Sequence, residues 1–318
     1  MTEPLDEAEV ERPRLGRVAP VKVRVPAKIN LHLHVGGARA DGYHELATVY
    51  HAVSLFDEVT ARPGDTLTLT MEGEGAGSLS LDESNLVLRA ARLLATHTGR
   101  PAHARIHLRK HIPVAGGLAG GSADAAAALV ACDALWNTGL PRDHLAELAG
   151  EVGSDVPFLV LGGTALGTGR GERVSPVLAP NHAWHWVLAI ADDGLSTPEV
   201  YREVDSRRAA GIADAVAGEP DTLLAALRQR DPEVLAATLA NDMQAAALAL
   251  RPDLAATLAA GEDADALAGM VSGSGPTCVF LAADARHAAA IAADLEAAGV
   301  CRLACAVTGP VPGARVVQ

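Results

Sequence analysis

Aromatic side chains are scarce in this chain: three Trp, three Tyr and three Phe among 318 residues. Its cores must therefore rest on Leu, Val and the abundant Ala, and any aromatic beside a candidate site gains weight. Cysteine is as sparse. Cys132, Cys278, Cys301 and Cys305 lack paired Cys-x-x-Cys spacing, which argues against zinc and against a disulfide framework and leaves reduced, buried thiols as the expectation. No apolar run reaches the roughly 18 uncharged residues of a membrane span. The opening residues, rich in Glu, Arg and Pro, lack the apolar stretch of a signal peptide, so residues 1–19 read as a disordered tail. Positive charge is also short: Lys and Arg number 26 against 39 Asp and Glu, a formal charge of −13. With no basic patch to offset it, that surface repels phosphate backbones and excludes a nucleic-acid scaffold. What is left, with 49% hydrophobic and 20% charged residues, is a cytoplasmic globular enzyme long enough for two domains.

Glycine is plentiful where it matters. The stretch Pro113-Val-Ala-Gly-Gly-Leu-Ala-Gly-Gly-Ser-Ala-Asp124 runs straight into an alanine-rich segment, 125–136. Gly116, Gly117, Gly120 and Gly121 remove side chains, so that backbone N–H groups can approach an anion. Leu129, Cys132 and Trp136 recur at helical spacing, which predicts a helix whose N-terminus faces the glycines. Such a terminus favours a phosphate by about 0.3 to 2 kcal/mol. Glycine clusters also mark plain turns. This loop is neither a P-loop, which needs a lysine before the Ser/Thr, nor a dinucleotide fingerprint, which needs an acidic residue about 20 positions on at a strand tip.

Ahead of the loop, Val21, Val23 and Val25 alternate with polar residues, Pro26 interrupts, and residues 28–35 alternate again. Ile29, Leu31, Leu33 and Val35 then point to a core. Lys28, Asn30, His32 and His34 form the other face, either a solvated edge or a site; two histidines without a third ligand make a weak metal pair. Asp41-Gly42 signals a turn before Tyr43 and His44. Strands are expected at 48–55, 66–71 and 105–112, and a helix at 85–95 with Asp82 and Ser84 as candidate caps. Beyond the loop, a helix is expected at 141–151. In Gly153-Ser-Asp-Val-Pro-Phe158, Ser154 or Asp155 fits a helix cap and Pro157 a first turn. A glycine-rich strand at 161–171 and a strand at 184–190 follow. The second half reads as mostly helical, interrupted by a glycine turn at 272–275 that leads into a strand.

Three stretches, Pro26-Ala-Lys-Ile-Asn-Leu31, the loop with its Pro-x-x-x-Gly-Leu-x-x-Gly-Ser-Ala pattern, and Ser272-Gly-Ser-Gly275, resemble the three motifs of the GHMP kinases, the superfamily of galactokinase and of homoserine, mevalonate and phosphomevalonate kinases. They span nearly all of the chain past residue 20. Within it, Arg39-Ala-Asp-Gly-Tyr-His44 and Gly-Ser-Asp-Val-Pro-Phe158 are similar to the members that act on 4-diphosphocytidyl-2-C-methyl-D-erythritol (CDP-methylerythritol) in the non-mevalonate isoprenoid route. The resemblance implies an α+β, two-domain fold, with an ATP-binding domain at 20–179, a C-terminal α/β domain at 180–318, and the active site in the cleft between them. It implies transfer of the γ-phosphoryl of ATP, with Mg²⁺, to a tertiary hydroxyl of a CDP-bearing substrate. Asp155 would take the hydroxyl proton, and Lys28 would keep that carboxylate ionised and offset charge on the moving phosphoryl group.

Further roles carried by the resemblance fall on ATP and on the substrate. Pro113, Val114, Ala115, Gly116, Gly117, Leu118, Ala119, Gly120, Gly121 and Ser122 would cradle ATP, with Asn85 and Lys110 near the adenine. Asn30, Gly273 and Ser274 would meet the substrate, Tyr43 and Tyr201 would sandwich its cytosine, and His44 would read the base edge. Ala115, Ala119 and Ala123 depart from residues that many relatives carry. Main-chain binding survives an alanine there provided its φ is negative. No acidic residue follows the glycines as in a Walker arrangement, so the protein ligand of Mg²⁺ is not readable and Ser122 is only a candidate. Other readings are a homoserine- or mevalonate-type kinase of the same superfamily, and a nucleotide-bound sensor without catalysis, which would have no need of both Lys28 and Asp155.

Overall fold

The computed structural model describes residues 19–40, 42–180, 182–212, 214 and 216–317. The tail expected over residues 1–19 thus falls almost wholly outside the described residues, as does Asp41 of the expected turn. Two sheets organise the described residues. In the larger one the strand order is Arg315–Val317, Val21–Ala38, His44–Arg62, Ala104–Lys110, Leu67–Gly73. The long strand His44–Arg62 serves two partners: its second half pairs with Ala104–Lys110 and its first half with Thr164–Gly169, which in turn pairs with Arg173–Pro176. The smaller sheet has the order Leu303–Gly309, Trp184–Ile190, Cys278–Ala282, Ala268–Val271.

Helix Gly120–Trp136 packs on the first two strands and against helices Leu86–Thr98 and Val156–Leu161. It starts earlier than residue 125, and its expected apolar stripe is in fact an all-round one: every residue from Ala123 to Cys132 is buried. A run of alanines allows this, because small side chains let strands and helices approach on all sides. Helix Ala285–Ala298 covers the smaller sheet, capped by the Asp284 carboxylate, which accepts the His287 N–H at 2.8 Å.

Several local expectations change. Pro26 does not break the first strand; a register shift between Pro26 and Ala27 absorbs it, and Val21–Ala38 is continuous. That strand is central, so the polar row is no solvated edge: Lys28, Asn30 and His32 are all buried. The cap of helix Leu86–Thr98 is Asn85, whose Oδ1 accepts the Val87 N–H at 2.9 Å, in place of Asp82 or Ser84. The second half also returns to the first sheet. Arg315–Val317 pairs with residues 22–24, and Ala240–Asn241 runs parallel to His32 and Leu33. Those short strands carry no periodicity a sequence reader could use. Cys132 and Cys278 are buried and their thiols pushed up to about 12 by burial, whereas Cys301 and Cys305 are only half-buried.

Candidate active site

The three glycine- and lysine-bearing stretches meet at one point. Gly117, with φ +75, packs so closely on the Ser272–Gly275 turn that a Cβ there would collide with the Ser272 carbonyl oxygen. The Gly117 carbonyl accepts the Ser272 hydroxyl at 3.2 Å and lies 3.4 Å from Lys28 Nζ. From the other side, a Cβ on Gly273 (φ +56) would stand 3.1 Å from Asn30 Oδ1 and 3.4 Å from Lys28 Nζ. Glycine lacks the Cβ that would block this approach, and it adopts this backbone conformation without strain. The turn is anchored in its own domain by Asn241, whose amide donates to Gly273 O at 2.8 Å, and by Ser274, whose hydroxyl meets that of Thr197 at 2.8 Å. Gly273 and Ser274 thus line the point where the motifs converge.

Lys28 is 5% exposed. Its ammonium donates to Asn30 Oδ1 at 2.6 Å and lies 3.9 Å from Asp155 Oδ2. Burial pushes its pKa down and the Asp155 charge acts against that, with a net lowering. Asn30 is committed at both ends, since its Nδ2 donates to Thr48 Oγ1 at 2.7 Å. It therefore orients Lys28, a role beyond the polyol contact expected for it. Asp155 starts helix Val156–Leu161, but its carboxylate makes no capping bond. The structural-cap reading therefore fails for its side chain. Oδ1 instead accepts the Tyr50 hydroxyl at 3.0 Å.

The glycine loop departs from expectation in one respect. Ala115 (φ 53) and Ala119 (φ 56) both sit in the left-handed region, contrary to the negative φ required of an alanine there. Such residues are strained by about 1–2 kcal/mol each. Pro113 and Leu118 are buried, while Val114, Ala115 and Gly121 face outward. Helix Gly120–Trp136 has no side-chain cap, and the half-buried Ser122 stands on its first turn. Its first amides are thus left for a ligand, which suits a phosphate.

Lys110, expected near the adenine, is engaged in a buried ion-pair cluster. It is 2% exposed beneath the loop, with Nζ 2.6 Å from Asp57 Oδ2 and 2.8 Å from Asp124 Oδ2. Burial works to lower its pKa, but the Asp124 and Asp57 carboxylates carry it above the ordinary lysine value. Asp57 Oδ1 also accepts the N–H groups of His111 and Ile112. A Cβ on Gly120 would press on Lys110 Nζ at 2.9 Å. This buried cluster is a strut that fixes the loop's approach, and sequence spacing gives no sign of Asp57. Asn85 likewise spends its amide on the cap and on Ser80 O at 2.7 Å. It does lie near the loop helix, because Leu86 Cδ1 is 3.5 Å from the Cβ position of Gly121.

The aromatic group rearranges as well. Tyr201 stacks on His44 with ring centroids 4.9 Å apart and planes 13° apart, so that His44 covers one of its faces. His44 Nε2 lies 2.9 Å from Asp205 Oδ1 on the same helix as Tyr201. Tyr43 is 55% exposed, and Arg170 lies over its ring at 5.0 Å. Tyr50, the third tyrosine, lies outside every sequence motif, and the scarcity of aromatics is the one signal that points to it. Among the described residues no group of three or more His, Cys, Asp or Glu could hold a metal.

Residues 85–163 match the GHMP kinases N terminal domain and residues 223–301 the GHMP kinases C terminal domain. A 4-diphosphocytidyl-2-C-methyl-D-erythritol kinase of Salinispora tropica is 72% identical over 97% of this chain and 98% of its own length. The chain belongs to the 4-diphosphocytidyl-2-C-methyl-D-erythritol kinase family, within the GHMP kinases. A crystal structure of a 4-(cytidine 5'-diphospho)-2C-methyl-D-erythritol kinase superposes with a TM-score of 0.72 at 33% identity, covering 90% of this chain and 98% of that one. A homoserine kinase from Cytophaga hutchinsonii gives a TM-score of 0.73 at 19% identity, covering 94% and 97%. The two-domain GHMP fold is thus shared by kinases with different substrates, and substrate choice in this kinase must come from its side chains.

Proposed function

We propose that this kinase transfers the γ-phosphoryl group of ATP to the 2-hydroxyl of CDP-methylerythritol, in the supply of isoprenoid precursors. The observation that carries this reading is the Lys28–Asp155 pair, 3.9 Å apart beside the glycine loop. A tertiary hydroxyl is a hindered, very weakly acidic nucleophile. Asp155 takes its proton as the oxygen bonds to phosphorus, and the bond from that phosphorus to the bridging oxygen of ADP breaks. Lys28, held by Asn30, offsets negative charge on the moving group, and its low exposure strengthens that effect. The N–H groups of residues 116–122 receive the phosphates.

Mg²⁺ fits this site as an ion carried by the nucleotide, since such ions keep several waters and take few protein oxygens. The Ser122 hydroxyl would be its protein ligand, and the ion would neutralise phosphate charge when bound. We assign the cytidine end of the substrate to Tyr43, His44 and Tyr201, a reading supported by the stacking of Tyr201 on His44 and by the exposed Tyr43 ring beneath Arg170. Asp205 fixes the ring orientation of His44. We divide the chain near residue 180 into an ATP-binding and a C-terminal domain, with the site at their junction. A cytoplasmic location suits the soluble substrates, and no helix among the described residues is long and apolar enough to cross a membrane.

A coupled ADP-release assay with CDP-methylerythritol, free methylerythritol, homoserine and mevalonate tests the assignment. CDP-methylerythritol is expected to be the good substrate and free methylerythritol a very poor one, because binding of the remote CDP group supports the chemical step. Turnover of homoserine or mevalonate at an equal or higher kcat/KM would sink the proposal.

A further inference from the structure

Tyr50 belongs to no motif named so far, yet its side chain is hydrogen-bonded to Asp155. It lies on strand His44–Arg62 in register with Asn30 on one side and Ala165 on the other, and it is 2% exposed. Its hydroxyl donates to Asp155 Oδ1 at 3.0 Å. Its ring stacks on Phe158 at 4.9 Å, one turn beyond Asp155. Space for the ring and its hydroxyl is left by two glycines. A Cβ on Gly167 would stand 2.5 Å from the Tyr50 ring, and one on Gly171 would collide with the hydroxyl itself. Strand, helix and turn thus leave a slot shaped for a phenol at this position. Burial, reinforced by the negative charge of Asp155, raises the pKa of the phenol well above its ordinary value, which keeps the proton on Tyr50.

The carboxylate of Asp155 makes no helix-capping bond, and Lys28 Nζ is 3.9 Å away, beyond hydrogen-bond distance. We propose that Tyr50 is a positioning residue for phosphoryl transfer, its hydroxyl locking the rotation of Asp155 through Oδ1 so that Oδ2 faces Lys28 and the substrate hydroxyl. The substrate proton goes to Oδ2, the substrate oxygen bonds to the γ-phosphorus, and ADP leaves with the electron pair of the broken bond. Tyr50 keeps its own proton throughout, because Oδ1 accepts its hydrogen bond in both states of the carboxyl group. This inference rests on the assignment of Asp155 as the base.

The test uses the full-length enzyme with Tyr50→Phe, Asp155→Asn and the two changes combined, in the ADP-release assay with ATP and CDP-methylerythritol. Rates are referred to the concentration of sites that bind an ATP analogue, so that loss of folded protein does not enter. Tyr50→Phe is expected to lower kcat about 10- to 100-fold, the usual worth of a hydrogen bond to a charged group, with KM for both substrates within about twofold, the signature of an interaction that acts on the chemical step. In the Asp155→Asn background the same change should cost nothing further, because the two residues act as a unit. An unchanged kcat per binding site in Tyr50→Phe, or a full additional loss in the combined variant, overturns the proposal while Asp155 keeps its role. Near wild-type turnover by Asp155→Asn alone overturns both.

Discussion

Gly117 and Ser272, 155 positions apart in sequence, are in contact at the centre of the site: the Ser272 hydroxyl donates to the Gly117 carbonyl at 3.2 Å. The Gly117 backbone, at φ +75, leaves no room for a side chain against the Ser272 carbonyl. Gly117→Ala must both strain the backbone and push the two motifs apart. It should destabilise the protein by at least about 2 kcal/mol and weaken binding of an ATP analogue. Thermal unfolding and calorimetric titration check this; an alanine variant with wild-type values in both would show that the loop and the turn move independently.

The strut beneath the loop predicts a stability effect in place of an adenine-binding one. Lys110→Met leaves Asp57 and Asp124 buried without their cation, a loss of about 3–5 kcal/mol for a broken buried pair. The urea midpoint of unfolding should fall accordingly. A variant of normal stability whose affinity for adenine nucleotides alone is reduced would restore Lys110 to the adenine.

Lys28 gives a pH dependence of definite sign. Its pKa lies below the ordinary value of 10.5, chiefly because it is buried. Rising pH removes its proton first in the folded state, so kcat should fall on the alkaline side before pH 10.5 is reached. Stability moves the other way. Between the lowered pKa and 10.5 the unfolded chain binds more protons than the folded one, and folding gains from rising pH in that window. Lys28→Met should abolish this gain and lower kcat at every pH. Parallel kcat and urea-unfolding profiles from pH 7 upward are the measurement, and a stability that falls through the window in the native enzyme but not in Lys28→Met contradicts the assignment.

Ala115 offers a gain. It is exposed, so little packing is lost on truncation, and its φ of 53 is costly for any residue with a Cβ. Ala115→Gly should stabilise the protein by about 0.5–1 kcal/mol. A lowered melting temperature would mean that the added freedom of glycine in the unfolded chain outweighs the strain relieved.

Much of this molecule could be read locally. The glycines of 116–121 and 273–275, the alternation of the first strand and the Pro-first-turn signal at 157 are short-range features, and the structure bears out the elements they imply. The pairing of Lys28 with Asp155 came from motif resemblance, since no local rule links residues 127 positions apart. Whether Pro26 breaks a strand and whether the Lys28 row is a solvated edge or part of a site depend on what lies on the far side of an element, and sequence periodicity does not carry that information.

The sequence by itself determined where the backbone must turn, where a helix can begin and which family of phosphoryl-transfer enzymes the chain joins, because these follow from φ preferences, cap chemistry and residue order. The tertiary structure decided which groups confront one another: Tyr50 against Asp155, Lys110 between Asp57 and Asp124, His44 between Tyr201 and Asp205. The reason is physical. Hydrogen bonds and ion pairs act over a few ångströms, so their partners are fixed only when strand register and helix packing bring distant residues within that range.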